Sequence, residues 1–358
     1  MQRMEAVLLT GHGGFDMLEH RTDVPVPVPG SGEVLIRVAA AGVNNTDINT
    51  RIGWYSKSVT AGTNAAKTGA VEDAAWSGTP LTFPRIQGAD VCGHIVQVGA
   101  GVDPVRIGER VLVRTMQPNP AGGRPYECTT LGSECDGGFA QFTVAPARET
   151  FAVRCDWSDA ELASIPCAYS TAENMLHRAG VGAERVLVTG ASGGVGSAAV
   201  QLAKRRGAVV IALAGKTKAA EVLALGADRV LDRDADLLAE LGAGSIDAVI
   251  DMVGGVNVAA LLSVLRPGGR LAIAGAISGP MAEIDLRTLY LKDLTMFGCT
   301  FQEDAVFENL IRYIEAGEFR PVVARTYPLD QIVAAQQDFL SKAHVGKLVL
   351  IPPKGGTR

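Results

Sequence analysis

A chain of 358 residues, 47% hydrophobic and 20% charged, has the length for roughly two globular domains with buried cores. Its net charge of −5 offers no broad basic face, so neither nucleic acid nor an anionic membrane surface is an expected partner. No apolar run approaches the ~18–20 residues of a membrane span. The N-terminus MQRMEAVLLTGHGG lacks the charged-then-apolar pattern of a secretory signal, which makes the cytoplasm the default compartment.

In the first 50 residues, AVLLT and VLIRVAAAGV read as strands, with PVPVPGSGE as the turn segment between them. The same pattern resumes at GHIVQVGAGV, ERVLVRT and FAQFTVAP, giving a small β-rich lobe. Between these stretches lies Ser56–Pro84, rich in Gly, Ala, Ser and Thr. Structureless loops become uncommon beyond ~12–15 residues, so this segment is either functional or partly disordered. It follows Tyr55 directly, and we expect it to border the substrate cleft and act as a lid.

From Trp157 the texture becomes helical, through SDAELASIPCAYSTAENMLHRAG. Val186–Thr189 is then a short apolar, β-branched run that reads as a buried parallel strand. Gly190, Gly193, Gly194 and Gly196 follow at once, and then SAAVQLAKRR, apolar at helical spacing up to Gly207. Strand, glycine turn and helix in that order suit a pyrophosphate: the helix end offers free N–H groups, and residues without Cβ let the backbone close in. Ser192, Gly193, Gly194, Val195 and Gly196 are the candidate cofactor contacts. Gly190, Ser192 and Gly194 also satisfy the GxSxG elbow of hydrolases. That reading needs a later histidine, and His344 is the only one, whereas Gly193 and Gly196 serve the phosphate.

Strands and helices alternate from there: AVVIALA, KAAEVLALG, IDAVIDMVGG, VNVAALLSVLRPGG as a helix with its stop, RLAIAGA and LKDLTMFG. Two helices, FENLIRYIEAG and DQIVAAQQDFLSKA, lead to a terminal strand, KLVLIP. The fold class is α/β, a β-rich lobe interrupted by an inserted doubly wound parallel-sheet domain, with the ligand cleft between them.

An NAD enzyme keeps an acidic residue about 20 positions past the turn glycines, on the ribose 2′-hydroxyl. Here that position is Leu213, and no Asp or Glu occurs between Gly196 and Glu221. Lys216 and Lys218 follow, and Arg233 ends the next short strand. Each charge-assisted hydrogen bond to a 2′-phosphate contributes about 1.5–3 kcal/mol, ten-fold or more in affinity. The expected cofactor is NADPH rather than NADH; the alternative is that the lysines form a solvated helix start. The six cysteines show no CxxC spacing and are expected to be reduced.

Taken together, GVNNTDINTRIGWY, GADVCGHIVQVG, DGGFAQFTV, the glycine turn and HVGKLVL resemble the medium-chain dehydrogenase/reductase superfamily. They are similar in particular to its zinc-free quinone oxidoreductases and enoyl reductases. The resemblance implies a GroES-like catalytic domain, residues 1–155 and 306–358, around a Rossmann NADP-binding domain, residues 156–305. It implies a bend at Gly215, a 2′-phosphate lysine at Lys218, and Arg233 where relatives carry Tyr. Gly254, Gly275 and Ala276 complete the cofactor set, with Thr171 approaching the nicotinamide and Lys347 closing over the cofactor from the C-terminal lobe.

Zinc-dependent members place Cys, His, Glu and Cys at the positions of Asn44, Ala89, Asp90 and Cys167, of which only the last survives. A catalytic zinc takes about three protein ligands plus an open position. Of the four cysteines that hold the structural zinc, the matching region retains Cys128 and Cys135. No metal is expected.

Hydride arriving at an activated double bond creates an enolate-like oxygen or carbanion that needs a donor and a proton. Tyr55 matches the enoyl reductases' proton donor; a phenol with pKa near 10 keeps its proton at pH 7. Asn44 matches the cleft Asn that binds a substrate oxygen or the nicotinamide-side ribose. Thr46 sits where zinc alcohol dehydrogenases keep a relay hydroxyl, and Asp47 either orients this loop or stabilises a turn. Arg51 and Trp54 read as surface or pocket lining, and His94 as a packed histidine. The resemblance also implies a homodimer joined along the edge strand 294–300. Two competing functions stay open: a zinc-type alcohol dehydrogenase with a metal anchored on Cys167, and a nucleotide-binding protein with little turnover.

Overall fold

The structure, a computed structural model, describes residues 2–66, 74–78, 80–118 and 126–355. The N-terminal part contains β1 (Arg3–Leu9), β2 (Leu18–Pro25), β3 (Glu33–Val43), helix α1 (Asn45–Ile52), β4 (Arg85–Ile86) and β5 (Cys92–Val98). It continues through β6 (Arg110–Val113), β7 (Met116–Pro118), β8 (Cys128–Thr130), β9 (Phe142–Pro146) and β10 (Thr150–Ala152). β2 is a strand that the turn-rich start of the sequence hides; it pairs antiparallel with β1.

The middle of the chain contains α2 (Asp159–Leu162), α3 (Ala168–Arg178), β11 (Arg185–Val188), α4 (Gly194–Arg205), β12 (Val209–Ala214) and α5 (Ala219–Ala224). Next come β13 (Arg229–Asp232), α6 (Leu237–Leu241), β14 (Ile246–Asp251), α7 (Val258–Val264), β15 (Leu265–Ile273), α8 (Leu286–Leu291) and β16 (Thr295–Gly298). The chain closes with α9 (Asp304–Glu315), β17 (Val323–Pro328), α10 (Ile332–Ser341) and β18 (Lys347–Ile351).

Six strands form one sheet in the order β13-β12-β11-β14-β15-β16, and all neighbours are parallel. This is the doubly wound dinucleotide order, whose direction reverses between β11 and β14. Successive side chains of a strand face opposite ways, and here each face meets its own core. Val186 and Val188 join the cluster with α3 and α4, whereas Leu187 joins Leu261, Leu262 and Leu271 on the other side. The chain reads as continuous apolar runs because both faces are covered. Helix α7 ends at Val264, earlier than its sequence suggests, because Leu265–Gly269 is already part of β15.

The second large sheet runs β10-β6-β5-β3-β18-β17, with β9 also on β3. The C-terminal strand β18 is antiparallel to β3 through Leu348–Val43 and Leu350–Ala41, so both chain ends build one lobe. Among the described residues no helix is long and apolar enough to cross a membrane.

Candidate active site

Helix α1 starts at Asn44, whose extended backbone (φ −129°, ψ 162°) lets Asp47 reach back and accept its N–H at 2.7 Å. Gly53 ends the helix in the left-handed conformation. Every residue from Thr46 to Ile52 is buried although most are polar, so each must find a partner. Gln87 donates to the Asp47 carbonyl at 2.9 Å, and Thr63 donates to the Asn49 side chain at 3.0 Å. Arg51 is not on the surface: it donates to Gln336 at 2.9 Å and to the Gly13 carbonyl at 2.8 Å, and stacks over Phe15. Burial pushes its guanidinium down to about 10.

The N-terminal end of α1 faces a buried polar node. Asp90, fully buried, accepts from Asn44 Nδ2 at 2.8 Å and from Lys347 Nζ at 2.9 Å on Oδ2, and from the Cys167 backbone N–H at 2.5 Å on Oδ1. The Lys347 ammonium also donates to the Val43 carbonyl at 3.0 Å and to Asn44 Oδ1. Asn44 thus engages both ends of its carboxamide. Lys347 lies with its stem against the cofactor turn, but its charge is turned into the catalytic lobe. Burial raises the Asp47 carboxyl to about 7, against the lowering effects of the Asn44 N–H and Lys347. Burial, reinforced by Asp90, also pushes the Cys167 thiol well up.

Tyr55 follows α1, half-buried, with its hydroxyl donating to Thr46 Oγ1 at 3.1 Å. Burial raises its pKa above the usual phenol value, opposed by the hydrogen bonds to Thr46 and Asn49. Trp54 and Trp76 flank its ring at centroid distances of 5.7 and 5.5 Å. The chain beyond Tyr55 crosses to the cofactor domain, where the Thr63 N–H donates to the Ile277 carbonyl at 3.1 Å. A Cβ on Gly62 would sit 2.4 Å from that same oxygen. Residues 67–73 and 79 of the expected lid lie outside the described residues.

The glycine turn is built for close approach. A Cβ on Gly196 would fall 2.1 Å from the Gly190 carbonyl, and one on Gly194 would fall 2.8 Å from Lys347 Cδ. Ser192, Gly193 and Val195 share this turn at the start of α4, whose free N–H groups fit a pyrophosphate. Gly254, Gly275 and Ala276 gather past the ends of β14 and β15, with Ala276 Cα 3.0 Å from where a Cβ on Gly254 would lie. Thr171 is half-buried in the first turn of α3.

Past the end of β12, Gly215 lies about 4.0 Å from the Arg233 guanidinium, measured from its would-be Cβ. Lys216 and Arg233 are exposed and Lys218 is half-buried. Lys218 donates to the Lys342 carbonyl, which brings a lysine of the C-terminal lobe into the basic cluster. Burial and the neighbouring Lys218 charge lower Lys342 to about 8. Burial lowers Lys218 too, with Arg233 adding to the effect.

Sequence reasoning missed Lys342, which follows a helix as any surface lysine might. It also missed Asp251, which accepts from Thr189 Oγ1 at 2.5 Å and orders the chain past β14 through the Val253 and Gly254 N–H groups. Burial raises this carboxyl. Three of the four positions matched to zinc ligands are joined by hydrogen bonds, Asn44 through its carboxamide and Cys167 through its backbone N–H, both to Asp90. Among the described residues no group of three or more His, Cys, Asp or Glu stands close enough to hold a metal.

Two family profiles match this chain, the alcohol dehydrogenase GroES-like domain over residues 30–154 and the zinc-binding dehydrogenase domain over 194–316. The quinone oxidoreductase of Lama guanicoe is 32% identical, covering 97% of both chains. The chain belongs to the medium-chain dehydrogenase/reductase superfamily, in its quinone oxidoreductase-like branch. An acryloyl-coenzyme A reductase of Metallosphaera sedula is 30% identical over 97% of this chain and 99% of its own. Among solved structures, a Sinorhizobium meliloti protein provisionally assigned as an alcohol dehydrogenase superposes with a TM-score of 0.89 at 48% identity, covering 99% of this chain and 98% of its own. A cobalt- and zinc-bound alcohol dehydrogenase of Pyrobaculum aerophilum superposes at 0.81 with 31% identity, covering 98% and 100%. The GroES-like and Rossmann expectation holds, and the protein is an NAD(P)H-dependent oxidoreductase.

Proposed function

We propose that this enzyme uses NADPH, without zinc, to reduce a quinone, an enone or an enoyl-type substrate. The observation that carries this reading is the Lys347 ammonium, held 2.9 Å from Asp90 and 3.0 Å from the Val43 carbonyl beside Asn44. The donors around it are a carboxamide, a carbonyl and one carboxylate already neutralised by a cation, a poor set for a second positive charge. The basic cluster of Lys218 and Lys342, with Lys216 and Arg233 at its mouth, supports a 2′-phosphate at the end of β12.

NADPH, when bound, supplies the hydride. Ser192–Gly196 would receive the pyrophosphate, while Gly254, Gly275, Ala276 and Thr171 would border the nicotinamide end. On the substrate side, Tyr55 donates a proton to the electron-rich product. Its buried phenol stays protonated across the working pH range, and the Thr46 hydroxyl can turn to donate to the phenolate left behind. Asp47 fixes the start of α1, and with it the spacing of Asn44, Thr46 and Tyr55.

The test is cofactor consumption with NADPH and NADH in parallel over quinones, enones and enoyl thioesters, with metal analysis of chelator-free protein. NADPH-preferring turnover without stoichiometric zinc is the expected result. One equivalent of zinc with alcohol oxidation would establish the zinc-type reading. Tight NADPH binding without turnover on any acceptor would leave a nucleotide-binding protein.

A further inference from the structure

We propose that Asp90 is a positioning residue for hydride transfer, one carboxylate that joins the Cys167 end of α3 to Asn44 and Lys347 and so sets the spacing between the two lobes. The inference holds for either nicotinamide cofactor and for any acceptor. Its basis is the distribution of the bonds. Oδ1 takes the Cys167 N–H at 2.5 Å, and one helical turn on, the Thr171 N–H donates to the Cys167 carbonyl at 3.1 Å. Oδ2 takes Asn44 at 2.8 Å and Lys347 at 2.9 Å; Asn44 opens the helix that carries Thr46 and leads to Tyr55. Lys347 in turn lies along Gly194, and the preceding Gly346 N–H donates to the Ser192 carbonyl at 3.1 Å. The carboxylate is thus bonded to the residue that opens α3 and to the lysine that lies along the glycine turn, the two parts of the fold that the proposed function, on which this inference rests, sets against the nicotinamide and the pyrophosphate.

Asp90 has no freedom to drift. It is fully buried, and a Cβ on Gly42 would lie 2.3 Å from its Oδ2, so the group rests directly on β3. As a source of stability such a pair is poor, because desolvation of two buried charges offsets their attraction and an apolar pair of similar volume does as well. What the charges add is direction: the carboxylate fixes three donors at set lengths. A misplacement of about 1 Å in the reacting geometry can cost ~10²-fold in rate.

The test compares Asp90→Asn and the double variant Asp90→Asn/Lys347→Met, which leaves no buried charge unpaired, with the wild-type enzyme. The acceptor is whichever the wild type reduces best. Cofactor affinity is read by fluorescence titration, turnover by cofactor oxidation, and the hydride step by the isotope effect with cofactor deuterated at the transferred C4 position. In both variants we expect kcat lower by ~10²-fold and a fully expressed isotope effect, and in Asp90→Asn, which keeps the Lys347 side chain, a cofactor Kd within about three-fold of wild type. A folded variant with wild-type kcat would overturn the proposal, as would a loss that follows Kd alone with the isotope effect unchanged. Failure of both variants to fold would also overturn it, by making Asp90 a folding residue.

Discussion

The Gly346 N–H donates to the Ser192 carbonyl at 3.1 Å, so the strand that carries Lys347 is fastened to the glycine turn of the other domain. The stem of Lys347 then runs over Gly194 while its tip is held by three acceptors. At Gly194 an added methyl would push a side chain that is tethered at its far end. At Gly196 it would meet the Gly190 backbone carbonyl at 2.1 Å, which has nowhere to go. Gly196→Ala should therefore cost about 1–3 kcal/mol or more of stability and abolish tight cofactor binding. Gly194→Ala should keep the fold and mainly weaken cofactor binding. Denaturant titration and cofactor fluorescence separate the two, and a Gly196→Ala protein as stable and as tight as wild type would refute the cradle.

If Lys342 meets the 2′-phosphate together with Lys218, cofactor choice depends on pH. Lys218→Ala and Lys342→Met should each raise the Kd for NADPH roughly ten-fold and leave that for NADH nearly unchanged, since only NADPH carries the extra phosphate. Lys342 has its pKa lowered to about 8, and a bound phosphate dianion favours its charged form. Binding above pH 8 must therefore take up a proton, and NADPH affinity should fall as pH rises through 8 and beyond. The NADH curve should stay flat, and Lys342→Met should flatten that for NADPH. Calorimetry in buffers of different ionisation heat checks the proton; equal pH slopes for the two cofactors would reject the assignment.

Asp47 makes a prediction about stability. An unfolded aspartate loses its proton near pH 4, whereas the folded carboxyl is raised to about 7. Between those values the folded state binds more protons, so stability falls with rising pH by up to ~1.4 kcal/mol per unit. The penalty is absent below pH 4 and complete above pH 7. Asp47→Asn keeps an oxygen for the Asn44 N–H and removes the titration. Its stability curve should be flatter between pH 4.5 and 7, and at pH 8 it should equal or exceed wild type. An unchanged slope in urea unfolding would show that Asp47 ionises normally.

The strand–turn–helix from Val186 to Arg205 was legible because its chemistry is local: apolar residues for a strand buried on both faces, then glycines wherever a Cβ would meet backbone. The doubly wound parallel sheet followed from the alternation of elements. α7 was read too long because VLRPGG carries a helix-stop signal, yet Leu265 onward extends beside β14. The Asp90 node and the meeting of Lys218 with Lys342 were not legible, since they join residues 257 and 124 positions apart. The surface alternative for Arg51 fails because its partners, Gly13 and Gln336, come from both ends of the chain and bury it.

The free edge of the parallel sheet bears on assembly. β16 is the last strand of this sheet, and in the segment that leads to it Met281, Leu286, Tyr290 and Leu291 are each more than 60% exposed. A terminal strand and exposed apolar side chains in the segment leading to it suit a two-fold partner of the same sequence. Light scattering should return twice 37.3 kDa, and Leu291→Asp should shift the mass toward the monomer. A wild-type monomer at working concentration would remove the dimer.

The Tyr55 hydroxyl stands 3.1 Å from Thr46 Oγ1, and Thr46 lies two residues along α1 from Asn44 of the Asp90 node. If hydride arrives from the Thr171 side, the proton must come from this opposite lobe, where the Tyr55 hydroxyl holds its proton and the Thr46 hydroxyl can donate to the phenolate left behind. General-acid help is worth ~10²–10⁴-fold, roughly 3–5 kcal/mol of barrier. Tyr55→Phe should lower kcat by about that factor with enone or enoyl substrates while NADPH Kd stays nearly constant. With quinones the loss should be smaller, because the reduced product can take its proton from water after release. Thr46→Val should give a partial loss, and the double variant should lose little more than Tyr55→Phe alone, since both act on one proton. Steady-state kinetics on a quinone and an enone in parallel measure the contrast. Full activity of Tyr55→Phe on every acceptor would show that the ring between Trp54 and Trp76 only shapes the pocket.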